Sequence, residues 1–134
     1  MFQPWGKLRQ LAHIEIIWTR PHSHAPPATD GTSRIWLDPN LNQTEHRCAL
    51  THELIHIQHG HCGCQTPAIE RLVRWESARL LINFEHLAHH ARWAHSLPEL
   101  AEELMVTEDV LIDRLQTLDG DQLQRLWPSE DHVA

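Results

Sequence analysis

Tyrosine is missing altogether from this chain of 134 residues, and phenylalanine and methionine occur only twice each. The phenol that many hydrolytic sites use to donate to a developing oxyanion is therefore excluded. No apolar run approaches the roughly 20 residues needed to span a bilayer, so no membrane partner is expected. The N-terminal stretch MFQPWGKLRQLAH has no apolar segment ahead of a small-residue cleavage site. It reads as lacking a secretory signal, and a cytoplasmic location is expected. Cysteine is scarce: Cys48, Cys62 and Cys64. An odd count without a secretory signal argues against a disulfide framework, and Cys62 and Cys64 are too close in sequence for an unstrained bridge.

Histidine stands out instead, with 13 copies, and hydrophobic residues make up 41% of the chain, enough to bury a core. The length suits a single domain over residues 1–134. The net charge of −7 is uneven. Residues 1–95 carry nine Lys/Arg and eight Asp/Glu, whereas residues 96–134 carry two and ten. So acidic a C-terminal part is a poor surface for a phosphate backbone, which argues against direct nucleic-acid binding.

The order of elements read from the pattern is strands and then helices, an α+β class. Residues 1–43 read as mainly strands and loops. His13–Arg20 is β-branched and aromatic and predicts a strand; His22 to Thr32 predicts a loop; Arg34–Leu37 predicts a second strand, ended by the turn residues Asp38-Pro39-Asn40. The active-site helices fall in residues 44–95. Thr44 predicts an N-cap for a helix reaching about His59, with Leu50, Leu54 and Ile57 on one face and Gly60 and Gly63 punctuating its end. Pro67 predicts the start of a second helix, from about Ala68 to Ala88. In the acidic part, residues 96–134, Ser96 with Pro98 and Thr107-Glu108-Asp109 open two more.

Within the first of these helices, His52-Glu53-Leu54-Ile55-His56 fits H-E-x-x-H. Residues four apart lie one above the other on a helix, so both imidazoles can reach one tetrahedral zinc, and Glu53 beside them is placed to act as a general base. In a chain this rich in histidine, chance supplies roughly 0.1 such matches, so the setting matters. The motif lies in a helix with an apolar stripe, after a strand and a turn. A catalytic zinc takes a third protein ligand and leaves one position open. Glu70 and Glu76, both on the second helix, are the candidates; Glu76 also has Arg79 three residues on as a surface partner. The alternative with a Gly three residues and a His six residues after His56 does not fit, since those places hold His59 and Cys62 and His61 is out by one.

The segments Ile35-Trp36-Leu37-Asp38-Pro39-Asn40-Leu41, Ala49-Leu50-Thr51-His52-Glu53-Leu54-Ile55-His56, Gly60-His61, Gly63-Cys64-Gln65, Glu70-Arg71-Leu72-Val73 and Ala78-Arg79-Leu80-Leu81-Ile82 together resemble the ImmA/IrrE family of metallo-endopeptidases in its compact actinobacterial or phage-like form. The resemblance covers about the middle third of the chain. It implies a small zincin-like domain that binds Zn2+ through His52, His56 and Glu70, with Glu53 as the catalytic base. It further implies a protein substrate, a transcriptional repressor or helix-turn-helix regulator of a phage or mobile element. The chain departs from the family at Arg74, where Asn or Asp is usual.

Several residues stay open on the sequence. An oxyanion donor is required, and His59, His61, His22, His24 or an arginine can serve. Cys62 and Cys64 with His59 and His61 are a weak second metal pattern. Arg34–Leu37 suits an edge strand that pairs with an extended peptide. Trp5, Trp18, Trp36, Trp75, Trp93 and Trp127 read as core or partner-facing aromatics. Leu100–Leu115 has a helix-turn-helix spacing at Ala101, Val106 and Leu115, which raises a DNA-binding regulator as one alternative, although packing is the simpler use. A catalytically inactive, zinc-stabilised module that sequesters a regulator is the other, because the same residues would bind zinc.

Overall fold

Alternation of β-branched and aromatic residues does produce strands, but short ones. In the computed structural model, which describes residues 1–11, 13–19, 28–61 and 65–127, they are β1 (Glu15–Trp18), β2 (Ala28–Thr29) and β3 (Arg34–Leu37). The sheet order is β1-β3-β2. β1 runs parallel to β3, from Glu15 opposite Arg34 to Trp18 opposite Leu37, and β2 runs antiparallel, with Ala28 opposite Trp36 and Thr29 opposite Ile35. Ile35 and Leu37 are both fully buried, as a period of two requires for one face. Two expectations are corrected here. The stretch read as a loop contains β2, too short to show alternation. Consequently β3 is the central strand, with both edges hydrogen-bonded, and is not available to pair with a peptide. The β2–β3 turn is built on Asp30, whose Oδ1 accepts from the main-chain N–H of Thr32, Ser33 and Arg34, with Gly31 in the left-handed region at φ 81°. Those N–H groups, Arg34's first, hold the Asp30 carboxyl well below the usual carboxylate range.

The metal-motif helix, α2 (Gln43–Gln58), packs its Leu50 and Leu54 against Ile35 and Leu37, with Ile57 alongside. Its N-cap is Asn42 rather than Thr44. Asn42 and Glu45 have the spacing of a reciprocal capping box, and both bonds form, at 2.8 and 3.0 Å. At the other end Gly60, at φ 70°, lets the chain reverse: Gly60 N–H bonds the carbonyl of Ile57 and His61 N–H that of His56. Thr66 caps α3 (Pro67–Leu81). The single helix expected to Ala88 is interrupted, because Asn83 accepts from the N–H of Glu85 and His86 and starts α4 (Phe84–Ala91) afresh. The caps Ser96 and Thr107 open α5 (Leu97–Glu103) and α6 (Glu108–Gln116) as expected. Two helices lay outside the pattern reading, α1 (Pro4–Gln10) and α7 (Gly120–Leu126). The architecture is mixed α+β and mostly helical. None of its described helices is long and apolar enough to cross a membrane.

A second apolar cluster joins α3 to the C-terminal helices, through Leu81, Ile82, Leu87, Leu100, Leu104, Val106 and Leu111. Ala101 and Val106 are buried in it, and Leu115 packs against it, so these three positions are used for packing. No tryptophan is part of the fully buried core. Two buried arginines cross this layer. The guanidinium of Arg47, on α2, donates to the main-chain carbonyls of Phe2, Leu81 and Met105, and that of Arg114, on α6, donates to Ile82. The Leu81 carbonyl belongs to the last turn of α3, where helical partners run out. Arg47→Met should therefore strand buried carbonyls from three separate segments and lower the unfolding free energy by at least about 3 kcal/mol in urea denaturation, against under about 1 kcal/mol for a surface substitution such as Arg71→Met.

Candidate metal centre

His52 and His56 lie on the face of α2 turned toward α3, their ring centroids 4.8 Å apart. Glu70 in the first turn of α3 reaches both. The Nε2 atoms of the two histidines are 3.1 Å apart, His52 Nε2 is 3.3 Å from Glu70 Oε2, and His56 Nε2 is 3.2 Å from Glu70 Oε1. These spacings have a simple meaning. With metal–nitrogen and metal–oxygen bonds of about 2.0–2.2 Å, the edges of a tetrahedron around zinc come to about 3.3–3.5 Å. The three side chains come close to outlining one face of such a tetrahedron, slightly tightened, in a donor set of two imidazoles and a carboxylate that fits zinc and leaves a fourth position. They form a group that can hold a metal ion, with all three ligand atoms within 4.8 Å of one another.

Electrostatics keep the imidazoles ready to ligate. Burial lowers both His52 and His56, and the like charge each would meet from a neighbouring ring lowers them further, while Glu70 pulls the other way. Both rings are therefore biased toward the neutral form that binds metal. His56 also contacts His61, Nδ1 to Nδ1, at 3.1 Å. When His56 donates there, its Nε2 keeps the lone pair that faces Glu70 and His52. It is the left-handed turn at Gly60 that brings His61 back over the helix end.

Glu53 is buried beside the pair, 5% exposed, and lines the same cleft of about 590 Å³ as His52, His56 and Glu70. Burial, with the charge of Glu70 adding to it, pushes the Glu53 carboxyl up to about 7. Across the cleft stand Arg74, one turn beyond Glu70 on α3, and Asp109 and Asp113 on α6. Arg74 does not pair with Glu70: its Nε lies 3.7 Å from Asp113 Oδ1. The outer wall was missed in the sequence. Its only signal there was a pair of acids four apart on the Thr107-capped helix, which without α3 packed alongside reads as a solvated face.

The remaining candidates separate. Glu76 lies outside the cluster and bonds His59, Oε2 to Nε2, at 2.7 Å, so its partner is this histidine rather than Arg79. His61 sits behind His56 and not at a ligand position. His22, His24, Cys62, Gly63 and Cys64 lie outside the described residues. Compared with family models, with curated proteins and with solved structures, the chain matches none.

Two outcomes test this geometry. Glu70→Ala should weaken zinc binding by more than the roughly 10–100-fold typical of an outlying group, and Glu76→Ala by less, as read from chelator competition on both variants; the reverse order would move the ligand to Glu76. In metal-stripped protein, a Glu53 carboxyl raised from 4.5 to about 7 binds its proton more tightly folded than unfolded. Stability then falls as pH rises from 4.5 through 7, by up to roughly 3 kcal/mol, and is level above that range. Glu53→Gln should flatten that slope in denaturation measured at pH 4.5, 6 and 8.

Proposed function

We propose that this chain is a zinc-dependent endopeptidase with a zincin-like domain, as the ImmA/IrrE resemblance implies, and that it cuts a transcriptional repressor or related helix-turn-helix regulator. The observation that carries the proposal is the spacing of His52, His56 and Glu70, 3.1–3.3 Å and so close to the edges of a zinc tetrahedron, with a buried carboxyl beside them in an open cleft. Zinc at this place would act as a Lewis acid, polarising a peptide carbonyl and making water acidic near neutral pH. Glu53 does the proton work. Burial raises the proton affinity of its carboxyl, which suits a group that takes a proton from water and hands it to the leaving amine better than an ordinary solvated glutamate does. His61 orients His56, and Glu70 reaches both imidazoles at once. The cleft is large enough to accept a few residues of extended peptide, and among the described residues the sheet edge beside it is β2, whose Ala28 and Thr29 line the opening.

The test pairs zinc content with cleavage. Purified protein should carry one zinc per chain, and His52→Ala combined with His56→Ala should lose it, by elemental analysis. Incubated with a repressor-type helix-turn-helix regulator found encoded beside its gene, if the neighbouring reading frames hold one, or otherwise with a panel of such regulators, the zinc-loaded parent should yield discrete fragments in mass spectrometry. Glu53→Gln should retain zinc and fold while lowering the cleavage rate by roughly 10²–10⁴-fold. Full zinc occupancy with no cleavage by the parent would favour a binding module that sequesters the regulator.

A further inference from the structure

Arg74 meets the need that the absence of tyrosine creates. An anionic oxygen develops on the scissile carbonyl during peptide hydrolysis and requires a donor in addition to a metal. Among the described residues, the histidines that suited this role on sequence are occupied elsewhere: His59 is bonded to Glu76, and His61 stands behind His56. Arg74 is the one arginine or lysine among the described residues lining the cleft. It follows Glu70 by one helical turn, so the two side chains rise from the same face of α3. Arg74 Nε lies 3.7 Å from Asp113 Oδ1, and the side chain is 49% exposed, so its charge stays open to a ligand entering the cleft it lines.

Resting on the endopeptidase reading above, we propose that Arg74 is a catalytic residue that binds the developing oxyanion, with Asp113 as the positioning residue that holds its stem against α6. A guanidinium suits this better than an ammonium, because its fixed fork donates two parallel hydrogen bonds to a tetrahedral oxyanion. The arrangement also accounts for the carboxylate opposite. Without Asp113, an arginine one turn from Glu70 would compete with zinc for that carboxylate; the ion pair with Asp113 on α6 draws its charge away from the ligand.

Inorganic phosphate, a tetrahedral oxyanion, is the probe. Calorimetric titration of the zinc-loaded parent should show binding of one phosphate. Arg74→Ala should weaken it roughly tenfold or more, Arg74→Lys by less, and Asp113→Asn, which keeps the guanidinium, should retain most of it. The zinc affinity of Arg74→Ala, from chelator competition, should stay at or above that of the parent, since a like charge is removed. With the cleaved regulator, Arg74→Ala should lower kcat with KM near the parent value. Parent-like phosphate affinity in Arg74→Ala overturns the assignment, as does a zinc-loaded parent that binds no phosphate. A parent that takes up no zinc instead overturns the peptidase reading, so the two failures are distinct.

Discussion

Two imidazoles on one helix can occupy only two corners of a tetrahedron. The third corner has to come from another segment, and the whole candidate site depends on how α3 is held against α2. That hold is made at both ends of α3. Thr66 caps its start, fixing the first turn that carries Glu70. At its finish, Arg47 from α2 and Arg114 from α6 take the carbonyls of Leu81 and Ile82. Burial lowers the pKa of both guanidinium groups, yet an arginine starts so high that the charge survives, and each is compensated by main-chain oxygens. The apolar clusters press the helices together without direction; these hydrogen bonds set where along its length α3 stops.

The same packing that builds the site makes it costly. Glu53 is buried in the cleft with another carboxylate near it, an arrangement that weakens the metal-free fold near neutral pH. Arg74 and Asp113 use the opposite tactic: they partly neutralise each other, with the acid mostly buried and the guanidinium half exposed, so the cation remains accessible to whatever enters. Such a division, neutral histidines and a protonatable acid unpaired with a charge and a second acid kept in an ion pair, follows from burial, because desolvation acts against every charged form that is not paired.

Much of the helical half was legible because its signals are local. Ser96 and Thr107 bond N–H groups three residues on, and Gly60 was readable as a helix end because few other residues take a positive φ. Where two local signals competed, the reading failed. Asn42 with Glu45 outranks Thr44 because a reciprocal pair satisfies two N–H or side-chain groups where a lone cap satisfies one. Asn83 breaks what looked like one long helix because its carboxamide reaches two N–H groups of the next. Strand β2 has two residues, and a period of two cannot be seen in two residues; missing it turned the central strand β3 into an apparent edge.

The sequence by itself determined that His52 and His56 share one face with Glu53 beside them, since four residues make about one turn of any α-helix. Glu70 stood with Glu76 as a candidate on the second helix, and only the family resemblance chose between them, because the spacing of 18 residues to His52 crosses a turn and a helix start whose geometry no local rule sets. Tertiary structure alone decided that Glu76 bonds His59, that His61 backs His56, that α6 supplies the far wall of the cleft, and that Glu53 is buried deeply enough to titrate near neutrality. Each of these depends on which surfaces are removed from water together, and desolvation is a property of the packed assembly rather than of any stretch of chain.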